Sequence, residues 1–173
     1  SIRVLLKKFE MFDVSTLSVD PFQTSDLLKN LYQILIPRQI RHDLGEYYTP
    51  DWLAEFVIEE MKIGEDSEQM RVLDPSCGTG TFISLAIRKT RRILFSQGKS
   101  EYDVLKGVLH NVVGMDLNPV AVIAARTNYL IGLNTSLAAL RERGEQIALP
   151  IYMCDSLLSP KEDDKLLGNQ YRM

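Results

Sequence analysis

Arg71-Val72-Leu73-Asp74-Pro75-Ser76-Cys77-Gly78-Thr79-Gly80-Thr81-Phe82 decides how the rest of this chain is read. A short apolar run ends in Asp-Pro, passes through a turn of small residues with two glycines, and enters a long helical pattern from Thr79. Val72-Leu73 alone does not separate strand from helix, but the Asp-Pro-Ser-Cys-Gly turn makes it a strand. Strand, glycine turn and helix in succession form the nucleotide-cofactor corner of an α/β sheet. The glycines let backbone approach a ligand, and the helix that follows offers it free N–H groups.

Downstream the pattern repeats. Val112-Val113-Gly114-Met115-Asp116 reads as a buried strand ending in an acid. Asn118-Pro119 then supplies an N-cap and a first-position proline for a helix through Ala121, Ala124, Ala125 and Tyr129 to about Leu133. A short helix is expected over Glu101–Leu109 and an exposed one over Leu137–Arg143. Ile151-Tyr152-Met153-Cys154-Asp155 is a third strand, again ending in an acid. Ligands of parallel α/β sheets sit at the carboxyl ends of the strands. One strand-end Asp is readily a helix cap, but Asp74, Asp116 and Asp155 together mark a binding edge.

Upstream, Ile2–Phe12 and the stretch from Thr24 through Leu35 have apolar residues at helical spacing, with Pro37 as a break or kink. Arg38, Arg41 and His42 read as a solvated helix face. Gly45-Glu46-Tyr47-Tyr48-Thr49-Pro50 precedes Asp51, a candidate N-cap for a helix to about Met61. Thr49 and that helix start suit a carboxylate or phosphate; a capped loop with Tyr47 or Tyr48 plugging the core suits the spacing equally well.

The chain has 173 residues, 45% hydrophobic and 25% charged, which suits one globular domain with a core. A net charge of -3 gives no global attraction to nucleic acid. Two cysteines, Cys77 and Cys154, and two histidines give neither a disulfide framework nor a metal-ligand cluster. There is no signal peptide and no apolar run long enough for a bilayer, so a cytoplasmic, membrane-free protein is expected.

The cofactor follows by elimination. A nicotinamide fingerprint requires G-x-G-x-x-G and an acid about 20 residues on. Here Ile83 stands at the third glycine position and Asp116 lies much further along. A phosphate-binding G-x-x-x-x-G-K-[ST] string is absent. A cofactor whose ribose and adenine amine are each gripped by an acid remains, and S-adenosylmethionine fits.

Four stretches carry a family resemblance, in the family's order: Gly45–Pro50, Asp74–Phe82, Gly114–Pro119 and Cys154–Leu157. The chain resembles the amine-specific DNA methyltransferases that modify adenine, as in type I modification subunits and fused restriction–modification enzymes, over roughly Asp26–Leu158. The resemblance implies a partial Rossmann-like sheet of about three parallel strands with flanking helices on both faces. It divides the chain into a helical segment (1–44), a cofactor-binding part (45–160) and a polar tail (161–173). It further implies that Tyr47, Tyr48, Thr49 and Pro50 line the methionine end. Asp74, Pro75, Ser76, Cys77, Gly78 and Gly80 pass beneath methionine and ribose, and Phe82 packs nearby. Asp116 accepts from the ribose hydroxyls, Leu117 covers an adenine face, and Asp155 accepts from the adenine amine beside Ser156. Carboxylates suit both tasks because an ionised Asp only accepts.

One departure stands out. The family transfers the methyl group with an Asn-Pro-Pro-aromatic motif after the third acid, where a flipped base is held. This sequence contains no Pro-Pro. The expectation is therefore an N-terminal cofactor-binding piece of a larger DNA methyltransferase, inactive alone and without catalytic residues of its own. Partners would be DNA, met through other parts of the protein, and specificity or restriction subunits or domains. An unpaired strand edge favours self-association. A degenerate methyltransferase-like scaffold is the alternative reading.

Overall fold

The structure, a computed structural model, describes residues 29, 33–34, 36–43, 47–64, 71–133 and 136–157. The expected helix over Ile2–Phe12, most of the one from Thr24 to Leu35, and the tail 161–173 lie outside the described residues. In chain order the elements are α1 (Arg38–Asp43), α2 (Asp51–Glu60), β1 (Val72–Asp74), α3 (Thr81–Ser96), α4 (Glu101–Asn111), β2 (Val112–Asp116), α5 (Pro119–Leu133), α6 (Ser136–Arg143) and β3 (Ile151–Met153).

The strands form one parallel sheet in the order β1-β2-β3. Val72 pairs with Val112 and Asp74 with Gly114; Gly114 pairs with Ile151 and Asp116 with Met153. Paired residues share a face, and alternate residues along a strand take opposite faces. Val72, Val112 and Ile151 are buried beneath α3, α4 and α5. On the other face Leu73 and Tyr152 are exposed, and Val113 and Met115 are only half-buried. Flanking helices are present as expected, but the described helices between the strands stand on one face rather than two. Right-handed crossovers that step the same way twice deliver their helices to the same side.

Helix α3 is central. Ile83 and Ile87 are fully buried, with Leu85 and Ala86, against the sheet and α5. Each isoleucine and the leucine contributes roughly 1.5–3 kcal/mol of burial. Its basic run is occupied internally: Arg88 pairs with Glu55 at 3.2 Å, Lys89 donates to the Ile58 carbonyl at 3.4 Å, and Arg91 donates to the Gly132 carbonyl. The last two satisfy carbonyls in the final turns of α2 and α5, where helices leave acceptors unmatched. Tyr129, fully buried on α5, donates to the carbonyls of Val108 and Val112, both at 3.0 Å, and so ties α5 to the α4–β2 junction.

Three local expectations are revised. Helix α3 begins at Thr81 rather than Thr79, because Gly80 has φ 92° and closes the turn first. Asp51 does not cap α2. Pro50 holds the N-cap position, and the Asp51 carboxylate instead pairs with Lys29 at 2.6 Å. Helix α6 is not an exposed helix: Leu140 is buried and α6 packs on α4.

Candidate functional site

The glycine turn is hooked onto the end of β2 by its own backbone. Cys77 N–H donates to the Met115 carbonyl at 2.8 Å, and Gly78 N–H donates to Asp116 Oδ2 at 2.8 Å. Gly80 N–H returns to the Cys77 carbonyl at 2.8 Å. Gly78 and Gly80 both take positive φ, 53° and 92°, which side-chain-bearing residues rarely adopt. Asp74 Oδ1 accepts from Ser76 N–H at 3.1 Å, while Oδ2 is buried with no hydrogen-bond partner.

The acids at the ends of β2 and β3 each organise a turn. Asp116 Oδ1 accepts from Asn118 N–H at 2.8 Å, and Asn118 Oδ1 caps α5 by accepting from Val120 N–H at 2.9 Å. The N-cap and the proline at the first helical position stand as the sequence indicates. Cys154 N–H donates to the Asp116 carbonyl at 3.0 Å, and Asp155 Oδ1 accepts from Leu157 N–H at 2.9 Å.

These turns meet around one cavity of about 450 Å³. Tyr47, Tyr48 and Thr49 line it from the segment before α2; Pro75 through Thr79 with Phe82 form the turn side. Asp116 ends β2 and Leu117 follows it, while Asp155 and Ser156 lie in the turn after β3. Of the residues singled out in the sequence, Pro50, Asp74 and Gly80 do not line it, though each adjoins or backs one that does. Neither tyrosine plugs the core: Tyr47 is exposed, and Tyr48 lies half-buried under the Arg41 guanidinium, 5.8 Å from its ring centre. Thr81, Asn118, Pro119, Cys154 and Leu157 also line the cavity. All five lie within the motif stretches themselves, at positions to which the resemblance assigns no ligand contact.

The electrostatics are one-sided. Burial pushes the Asp74 carboxyl above its ordinary range; Asp116 adds to this and the Ser76 N–H opposes it. The Cys77 thiol is pushed up to about 12 by burial, then by Asp74 and Asp116. Burial and Asp155 raise Cys154 as well. Among the described residues the cavity lining includes two carboxylates and no Lys, Arg or His. Such a lining repels phosphate and favours a neutral or cationic ligand rich in donors. Among the described residues no cluster could hold a metal ion, and no helix is long and apolar enough to cross a membrane.

Comparisons with known proteins agree with this arrangement. The chain is 28% identical over 151 residues to the adenine-specific methyltransferase PglX of Streptomyces coelicolor, covering 82% of this chain and 12% of that protein. It is 25% identical over 158 residues to the type I restriction enzyme MjaVII methylase subunit of Methanocaldococcus jannaschii, covering 91% of this chain and 22% of that one. The chain thus spans less than a quarter of the length of either relative. A cryo-EM structure of a DrdV–DNA complex shares the fold at a TM-score of 0.54 and 19% identity, over 80% of this chain and 13% of that one. The family model described as N-6 DNA methylase matches residues 23–167, most of the sequence, and the chain belongs to that family.

Proposed function

We propose that residues 47–157 form the S-adenosylmethionine-binding part of a DNA methyltransferase that acts on the exocyclic amine of adenine. The observation that carries this reading is the lining of the cavity: four separated stretches meet there, with carboxylates at two strand ends and no basic side chain among its described residues. A dinucleotide or triphosphate would bring phosphate charge to that wall. S-adenosylmethionine brings a cationic sulfonium, an ammonium, ribose hydroxyls and an adenine amine, which match acceptors. The volume of about 450 Å³ lies within the range of small-ligand sites. The cofactor supplies an electrophilic methyl group on its sulfonium.

The chain's own residues bind and orient. Each Asp116 oxygen already accepts one backbone N–H, from Gly78 and from Asn118, and each keeps a second lone pair for a ribose hydroxyl. The same two bonds fix the carboxylate before any ligand arrives. Asp155, whose Oδ1 accepts from Leu157 N–H at the cavity, is assigned to accept from an adenine amine beside Ser156. Leu117, 68% exposed at the cavity, offers an apolar cover for a ring. Tyr48, Thr49 and Pro50 are assigned to the methionine end, and Phe82 to packing beside the turn. The target amine would be held elsewhere in the protein, since the sequence has no Asn-Pro-Pro-aromatic motif. The chain alone is therefore assigned binding without turnover, and DNA and any specificity or restriction subunits are assigned to the whole protein.

Calorimetric titration with S-adenosylmethionine tests this. Because Asp116 also holds the turn, Asp155→Asn is the cleaner variant; it keeps an acceptor for Leu157 but presents donors to the adenine amine. We expect binding by the chain and roughly tenfold weakening in the variant, about 1.4 kcal/mol. A folded chain that ignores S-adenosylmethionine, alone and within the full-length protein, refutes the cofactor reading in favour of a scaffold.

A further inference from the structure

We propose that Asn128, in the middle of α5, is the positioning residue that holds the glycine turn in its ligand-ready shape. Asn128 is 4% exposed, and its Nδ2 donates to the Thr79 carbonyl at 2.8 Å across 49 residues of sequence. The amide has only one workable orientation, since its flipped form would set Oδ1 against the Thr79 oxygen. In that orientation Oδ1 is buried with no hydrogen-bond partner. A buried acceptor left unmatched weighs against stability. Packing alone would be better served by an apolar side chain, so the role of Asn128 lies in its donor.

The donor acts on the peptide unit the turn depends on. The Thr79–Gly80 peptide is held at both ends, its C=O by Asn128 and its N–H by the Cys77 carbonyl. Thr79 is 2% exposed and lines the cavity. Gly80 lies against α5 as well: a Cβ there would come within 3.4 Å of the Ala125 Cα and Cβ. Ala125 and Asn128 stand three residues apart, on one face of the helix. The helix that starts at the Asp116 turn thus reaches back, through Asn128, to the glycine turn. Without that donor the Thr79 carbonyl is buried and unmatched, and a rotation of its peptide takes the Gly80 N–H off the Cys77 carbonyl, loosening the turn that presents the Gly78 N–H to Asp116.

The ligand consequence rests on the cofactor reading; the geometric one does not. The test uses Asn128→Ala and Asn128→Leu, which both lack the donor but differ in volume. Amide hydrogen exchange in the ligand-free chain should accelerate at Gly78 and Gly80 by at least about tenfold in both variants, while Leu85–Ile87 inside α3 stay within about twofold. Affinity for S-adenosylmethionine and for 5′-methylthioadenosine should then both fall, since each carries the ribose assigned to Asp116, which the turn holds through Gly78. Equal acceleration throughout α3, or an effect in Asn128→Ala alone, overturns the positioning role in favour of plain packing. A wild-type chain that binds neither ligand while the exchange contrast persists sinks the cofactor reading and upholds the role of Asn128.

Discussion

Gly114 occupies the centre of the central strand, and adding one methyl group there tests how the site is packed. In Gly114→Ala the new Cβ would lie 2.7 Å from Ile151 Cδ1, 3.2 Å from Cys77 Sγ and 3.2 Å from Ile83 Cδ1. Ile151 and Ile83 are fully buried and Cys77 is 6% exposed, so none can swing into solvent. Gly114 is not among the positive-φ residues, so backbone strain does not enter and the penalty is steric. Overpacking of this kind costs about 1–3 kcal/mol, and replacing a strand glycine by alanine returns roughly 0.5–1 kcal/mol. The expected net loss is about 1–2 kcal/mol, or roughly 0.5–1 M in the urea midpoint for a slope near 2 kcal/mol/M. A double-mutant cycle isolates the cause. Ile151→Val deletes the atom in closest conflict and alone costs about 0.5–1.5 kcal/mol. Combined with Gly114→Ala it should recover about 1 kcal/mol of the summed losses, the contacts to Cys77 and Ile83 retaining the rest. Additivity within about 0.5 kcal/mol, or a Gly114→Ala chain no less stable than wild type, would refute the packing argument.

Tyr129→Phe removes the hydroxyl that both carbonyls at the α4–β2 junction accept from; Val108 keeps the Val112 N–H, and the chain should lose about 1–3 kcal/mol in urea melts at an unchanged slope. Arg126 donates through Nε and Nη2 to the Ile151 carbonyl, at 3.0 and 2.8 Å. Pro150 and Cys154 bond toward β2, so that carbonyl faces the outer edge of β3. Arg126→Ala should therefore cost about 1–2 kcal/mol and raise the associated fraction in sedimentation velocity; an unchanged distribution excludes that edge as the association surface. For Asp74 the sign follows from its raised carboxyl: the folded chain keeps this proton to higher pH than the unfolded chain, so the ionised group opposes folding above the ordinary value of 3.8. Asp74→Asn keeps an acceptor for Ser76 N–H and should melt at or above the wild-type temperature at pH 7, an advantage that vanishes by pH 3. An equal loss at both values would contradict the assignment.

What the sequence disclosed and what it withheld divide along a physical line. Gly78 and Gly80 were legible because positive φ admits few other residues, so a backbone requirement is written directly as a residue type. Asn118-Pro119 was legible because a helix start uses only neighbouring groups, the Asn side chain and the Val120 N–H two positions on. Asp51 has the same local credentials, and there the long-range pair with Lys29 overrode them. Asn128 carried no local signal at all. An Asn inside a helix reads as a mildly unfavourable residue, and only the fold brings it to Thr79. The same holds for the basic run Arg88–Arg92, which in a methyltransferase invites assignment to DNA, whereas Arg88, Lys89 and Arg91 answer a carboxylate and two helix-end carbonyls. The strand-end acids lie between these cases. Their position at the carboxyl edge follows from a parallel sheet, but which of them faces the cavity depends on how each turn is closed. Asp116 and Asp155 line it, while Asp74, drawn back onto Ser76, supports the turn from behind. Pattern locates a site when its geometry is made by adjacent residues, and packing decides which of several equivalent groups does the binding.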